Sequence, residues 1–204
     1  MNSYKVGFWR KRAVKAALDR REDREHAWHG HRVIKFPGDC FAMHKLLWQC
    51  KPEVLVEIGT QNGGSALFFA ACAPRVVSID IHEQPGRPVD PRITYLTGNS
   101  VAPEIVARVR TLVGTQRCSV VIDGNHHAEQ VDKELELFAP LVSPGQALIL
   151  EDTLVDVLDF RKFRAGGGPL RSIRKYMPGH PEFRLAEGVE PYITTNFFGY
   201  WVRQ

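Results

Sequence analysis

An open α/β fold built on a mostly parallel sheet is what this sequence predicts, and three observations carry the prediction. Four short runs rich in Val and Ile recur through the middle of the chain: EVLVEIG (53–59), RVVSIDI (75–81), SVVIDG (119–124) and QALILED (146–152). Helical patterns fill the gaps between them, and each run closes on an acidic residue or a glycine at or next to its end. Near-continuous apolar runs of this length suit strands buried on both faces. Strands that alternate with helices build parallel sheets through crossover connections.

Taken in order, residues 1–35 read as an amphipathic, Arg-rich helical cap carrying Tyr4, Phe8, Trp9 and Trp28, expected to lie over one rim of the sheet. Residues 36–204 form the main domain. Its first strand (53–59) runs through a glycine turn into a helix over Ser65–Ala73, and its second strand (75–81) is followed by RITYLTGN (92–99) as a third. Helices are expected over Val101–Val113 and Glu129–Phe138, on either side of the 119–124 strand. After the 146–152 strand comes a lid, 154–175, hinged on GGG (166–168). FRLAE (183–187) and TNFFGYWVR (195–203) close the fold as an antiparallel pair. The expected whole is a Rossmann-like, seven-stranded sheet with an antiparallel C-terminal strand and helices on both faces.

The bulk numbers agree with one soluble domain. The chain has 204 residues, with 44% hydrophobic and 25% charged, ordinary for a globular protein. Its net charge of +4 is unevenly spread: residues 1–35 carry ten Lys/Arg against four Asp/Glu, residues 161–204 eight against three, and the middle nine against sixteen. Basic ends suit nucleic acid, an anionic lipid or an acidic small molecule, or simply solvated helices. Four widely spaced cysteines without a CxxC pair read as reduced thiols of a cytoplasmic protein. No apolar run approaches the roughly 20 residues that span a bilayer, and MNSYKVGFWRKR lacks the apolar core of a signal peptide.

In open α/β sheets ligands bind beyond the carboxyl ends of the strands. That rule puts Glu57, Asp80, Asp123, Glu151 and Asp152 along one rim. Gly59, Gly63 and Gly64 would let the first strand turn sharply beneath a ligand. The run G-T-Q-N-G-G lacks the second glycine of the dinucleotide fingerprint, and no phosphate-cradling GxxxxGK[ST] occurs. A glutamate ahead of the turn would repel a pyrophosphate and attract a cation. The pattern therefore favours a nucleoside-like ligand that is positively charged and lacks phosphates, as S-adenosylmethionine does. Asp80, 21 residues after Gly59, stands where an acid binds a ribose diol.

At this point the chain resembles a known group. KPEVLVEIGTQNGGSALFFA, RVVSIDI, RITYLTGNS, SVVIDGNHH, FAPLVSPGQALILEDT and GGPLRSI look like the cephalosporin hydroxylase/rhamnosyl O-methyltransferase family of class I S-adenosylmethionine-dependent methyltransferases, several of which act on antibiotics and sugars. The resemblance implies that Glu57, Gly59 and Gly63 border the methionine part, with Thr60 and Ser65 beside them. It implies that Asp80 and Ile81 meet the ribose, that Asn99 and Ser100 lie near the adenine, and that Asp123 also borders the cofactor.

Asp123, Glu151 and Asp152, on the ends of successive parallel strands, would repel one another unless a cation neutralised them. Hard oxygen donors suit Mg²⁺, and related metal-dependent O-methyltransferases bind it with acids at these strand ends. His126 and His127 follow Asp123 closely, and either could take the acceptor's proton; the resemblance favours His126. The family more often has DSDHS where this chain has DGNHH. RKFRAGGGPLRSIRK (161–175) holds six basic residues and no acid. With its glycine hinge it is expected to close Lys162, Arg164, Arg171 and Arg174 over a small-molecule acceptor, anionic by this reading: a sugar, carboxylate, phosphate or phosphonate.

The resulting expectation is a small-molecule O-methyltransferase, Mg-assisted, acting on a secondary-metabolite-type acceptor, with a homodimer among its expected assemblies. The alternatives are an N-methyltransferase of a small molecule or an RNA methyltransferase, a nicotinamide-binding protein, and a non-catalytic protein on the same fold. The nucleic-acid reading is weakened because D-G-N-H replaces the N-P-P-[YF]-type motif that stacks a flipped base.

Overall fold

The computed structural model of the protein describes residues 4–23 and 26–204. Residues 1–3 and 24–25 of the expected cap lie outside the described residues. α1 (Phe8–Asp19) precedes a small hairpin, β1 (His26–Trp28) and β2 (His31–Val33), and then α2 (Pro37–Cys50). The main sheet begins with β3 (Val54–Ile58), followed by α3 (Gly64–Phe69), β4 (Val76–Asp80), β5 (Ile93–Thr97), α4 (Pro103–Val113), β6 (Cys118–Ile122), α5 (Ala128–Phe138) and β7 (Ala147–Leu150). Two short helices, α6 (Leu154–Val157) and α7 (Pro169–Tyr176), lead to β8 (Phe183–Leu185) and β9 (Tyr200–Arg203).

The seven strands lie in the order β5-β4-β3-β6-β7-β9-β8. The first five are parallel, and β9 runs antiparallel to both β7 and β8. β3 sits in the middle of the five parallel strands, fully buried along its length. Its side chains alternate between two apolar layers, as a strand's period of two requires. Val54, Val56 and Ile58 join the layer that includes α4, α5 and α7, while Leu55 joins the one that includes α2 and α3. The chain reverses its strand order between β3 and β6, and the strand ends there form the crevice where open α/β sheets bind ligands.

Two features differ from the sequence expectation. Residues 26–33 form a hairpin rather than a continuation of the N-terminal helix, because His29 and Gly30 take positive φ values of 48° and 82°, the signature of a tight two-residue turn. The hairpin lies against α3, with Trp28 meeting Phe68 edge-on at 5.5 Å. The C-terminal strand is also shorter than TNFFGYWVR: only Tyr200–Arg203 pairs, and residues 194–199 turn inward instead. That turn is held by Asp39 at the start of α2, which accepts hydrogen bonds from Thr194 Oγ1, from the Thr195 N–H (2.9 Å) and from the Tyr200 hydroxyl (2.7 Å). The four cysteines are all free thiols. Among the described residues no helix is long and apolar enough to cross a membrane.

Candidate functional site

The carboxyl ends of β3, β4, β5, β6 and β7 open into a single cavity of about 540 Å³. β3 stops at Ile58 because Gly59 leaves it with φ +91°, and a Cβ on Gly59 would sit 2.2 Å from the Asp123 carbonyl oxygen. Only glycine lets the loops after β3 and β6 pass so closely. Gly64 is equally constrained, since its Cβ would fall 2.0 Å from the Arg32 carbonyl oxygen. That contact seats the hairpin on the first turn of α3.

Asp80, the last residue of β4, clamps the glycine loop. Its Oδ2 accepts from the N–H groups of Thr60 (3.1 Å) and Gln61 (2.7 Å), and its Oδ1 accepts from the His82 N–H (3.0 Å). A carboxylate offers about four acceptor positions, so capacity remains for a diol presented from the cavity. Gly59, Thr60, Ser65, Asp80, Ile81, Asn99, Ser100 and Asp123 of the expected cofactor set all line this cavity. Two members do not. Gly63, with φ +78°, caps α3 beside Tyr95. Glu57 lies beneath the wall, fully buried, its Oε2 accepting from Ser78 Oγ at 2.6 Å. Burial pushes the Glu57 carboxyl above its ordinary range, against the pull of the Ser65 and Ser78 hydroxyls and of the Lys35 ammonium. Glu57 therefore lies under the cavity and not on its wall.

The two histidines separate cleanly. His126 faces the cavity, with Nε2 3.2 Å from Asp152 Oδ2. His127 turns away, and its ring packs 4.8 Å from that of Phe163, in the segment between β7 and α7. Asp152 holds a left-handed backbone (φ 53°) fixed by a hydrogen bond from its N–H to Asn196 Oδ1 at 2.9 Å. Sparsely populated backbone of this kind persists where the surroundings over-determine it, and it collects at functional sites.

Asp123 and Asp152 come together as expected, but Glu151 does not join them on the cavity side. Lys35, from the segment between β2 and α2, reaches in with Nζ 2.6 Å from Asp123 Oδ2 and 2.7 Å from Glu151 Oε1. Burial raises the carboxyls of both Asp123 and Glu151, while the lysine opposes the shift. Donor atoms of Asp123, His126 and Asp152 all lie within 4.8 Å of one another. Two carboxylates and an imidazole form a donor set that fits a divalent cation, although it is not the three-carboxylate set read from the sequence.

The lid cations lie outside the cavity. Arg164 pairs with Asp159 (3.1 Å), Arg171 donates to the Gly166 carbonyl, Arg174 donates to the Tyr4 carbonyl, and Lys162 sits over the Phe163 ring. Sequence reasoning missed Lys35, Gln130 and Glu134. Glu134 Oε1 accepts from Ser100 Oγ (2.6 Å) and Gln130 Nε2 (3.1 Å), and its buried Oε2 has no hydrogen-bond partner among the described residues. A signal for both charged residues was present: each interrupts an apolar pattern, Lys35 in VIKFP and Glu134 on the Val131–Leu135–Phe138 stripe.

Comparison with known proteins adds the following. A family model described as Rhamnosyl O-methyltransferase/CmcI matches residues 21–203. A rhamnosyl O-methyltransferase of Mycobacterium leprae (strain TN) is 29% identical over 193 residues, covering 87% of this chain and 82% of its own length. Another, from Mycobacterium bovis, is 26% identical over 166 residues, covering 74% of this chain and 66% of its own. Among solved structures, CmcI with Mg and SAM superposes with a TM-score of 0.65 at 19% identity, over 88% of this chain and 76% of that one. MycE, from the mycinamycin biosynthetic pathway, in complex with Mg, SAH and mycinamycin VI, gives 0.59 at 18% identity, over 80% of this chain and 47% of that one. An O-methyltransferase from Bacillus cereus in complex with SAH gives 0.58 at 14% identity and covers 98% of this chain and 92% of that one. At these identities the structural likenesses establish the fold alone, the open, mostly parallel α/β sheet described above.

Proposed function

This chain belongs to the rhamnosyl O-methyltransferase/CmcI family, and from that premise we propose that its cavity binds S-adenosylmethionine and passes the methyl group to a hydroxyl of a sugar or other secondary-metabolite-type acceptor. The observation that carries the reading is that Asp80 and the His126–Asp152 pair open into the same cavity. An acid suited to a ribose and an imidazole suited to a hydroxyl proton thus face one ligand space.

When bound, S-adenosylmethionine supplies a sulfonium methyl that an acceptor oxygen can take in a direct displacement, with neutral S-adenosylhomocysteine as the leaving group. The chain's own residues do the rest. Asp80 and the Gly59–Gln61 loop hold the nucleoside end, and Ser100, Gln130 and Glu134 offer polar partners further along the wall. Glu57 biases the floor toward a cation. His126, with its Nε2–H held by Asp152, would accept the acceptor's proton on Nδ1. Positioning and a preset electrostatic field supply most of the acceleration in such a transfer. Asp123 and Asp152 would hold a divalent cation, which when bound would polarise the acceptor hydroxyl; His126 could complete that donor set only in place of its role as base. An anionic acceptor has lost its main support, since none of the four lid cations reaches the cavity wall.

Calorimetric titration of the purified protein tests the reading. Saturable 1:1 binding of S-adenosylmethionine and of S-adenosylhomocysteine is expected; folded protein that takes up neither ends it.

A further inference from the structure

Lys35 reaches the strand ends from a segment that precedes the sheet in sequence. Its side chain is 3% exposed, and its ammonium makes two short, charge-assisted bonds, to Asp123 and to Glu151. An ammonium set at these distances from two carboxylates is the partner that lets both acids lie inside the protein, since without it each would be left unpaired. Glu151 is engaged on its other oxygen as well, with Asn196 Nδ2 at 3.4 Å from Oε2. Both of its oxygens are therefore committed within the protein.

Two cations do not share one pair of oxygens. A Mg²⁺ ion sits about 2.0–2.1 Å from its oxygen ligands, and an ammonium already lying against the same pair would oppose it across a few ångströms of poorly screened space. The oxygens left for a divalent ion are the second oxygen of Asp123 and those of Asp152, with the His126 imidazole. Hard divalent ions favour oxygen over nitrogen, so this remainder is a weaker site than three carboxylates would make.

We propose that the Lys35 ammonium is a resident cation of this site, bridging Asp123 and Glu151 in competition with divalent metal, so that divalent ions bind weakly here and removal of the lysine's charge converts the carboxylate cluster into a tight metal site. The proposal rests on reading the cavity as a methyl-transfer site. It makes Lys35 a positioning residue: it sets where the two acids point and how much negative charge faces the acceptor.

The test is a Mn²⁺ titration of the full chain saturated with S-adenosylhomocysteine, following the resonance of the free aquo ion, for wild type, Lys35→Gln and Lys35→Met. Lys35→Gln is expected to bind Mn²⁺ at least tenfold more tightly than wild type, a gain that mere structural damage does not produce. Equal or weaker binding by a folded Lys35 variant overturns the proposal. If neither variant folds, the wild-type constant decides: tighter than about 100 μM, near −5.5 kcal/mol of binding free energy, overturns the proposal, and weaker binding supports it. Uptake of S-adenosylhomocysteine by the same samples is measured separately, so failure of the methyl-transfer reading is distinguishable from failure of the role given to Lys35.

Discussion

His126 Nε2 lies 3.2 Å from Asp152 Oδ2, joining the loop after one parallel strand to the first turn after the next. The pair orients the imidazole over the cavity, whereas the neighbouring His127 is spent on the lid, against Phe163. Positioned general bases contribute about 10²–10⁴-fold to rate. With an accepting sugar identified by screening, His126→Ala should lower turnover about 100-fold or more while leaving S-adenosylhomocysteine affinity within about threefold. His127→Ala should keep most of the activity. Equal losses in the two variants would remove the assignment.

Asp80 accepts from two successive N–H groups of the glycine loop. Asp80→Ala would free that loop and remove the acid offered to the ribose, so the cofactor's affinity should fall by roughly tenfold to a hundredfold, about 1.4–2.8 kcal/mol. Calorimetry with S-adenosylhomocysteine reads the change directly. Unchanged affinity would mean that the nucleoside end lies elsewhere.

Gly59→Ala and Gly64→Ala each place a methyl group within about 2 Å of a carbonyl oxygen, of Asp123 and of Arg32 respectively. Both should destabilise the fold by about 2–4 kcal/mol through strain and displaced backbone. Gly145→Ala also strains a positive φ (76°) but meets nothing within 4 Å, and should cost only about 1 kcal/mol. Denaturant midpoints of the three variants order the effects.

Glu57 titrates above its ordinary 4.5 because it is buried. A raised acid binds its proton more tightly when folded, so its favourable contribution is complete below 4.5 and is lost as pH rises through the folded value. Glu57→Gln keeps the neutral form at every pH. The variant's melting temperature relative to wild type should therefore climb from pH 4 to pH 7, while its affinity for the cationic S-adenosylmethionine drops. A gap in stability that does not change with pH would contradict the buried, raised carboxyl.

The strands were legible because burial on both faces leaves few polar residues in them, Glu57 in β3, Ser78 and Asp80 in β4 and Ser119 in β6. EVLVEIG, RVVSIDI, SVVIDG and QALILED contain β3, β4, β6 and β7, their ends differing by only a few residues. The hairpin was not, because Trp28-His-Gly-His31 is a turn only through the positive φ of His29 and Gly30. In that composition it looked like the end of a basic helix. The closing strand was overrun for a related reason: residues 194–199 carry strand-like residues, yet Asp39, more than 150 positions earlier, draws Thr194 and Thr195 into a buried hydrogen-bond network.

By itself the sequence determined which residues stand at the carboxyl ends of the strands, since a period of two and a glycine turn are local properties of the chain. Only the tertiary structure decided how those acids are shared. Lys35 meets Asp123 and Glu151 across 88 and 116 positions, and no local pattern encodes a contact of that length. Whether a buried carboxylate faces a metal, a ligand or an ammonium depends on which distant charge the packed fold brings beside it, because a charge withdrawn from water must find its partner inside the protein.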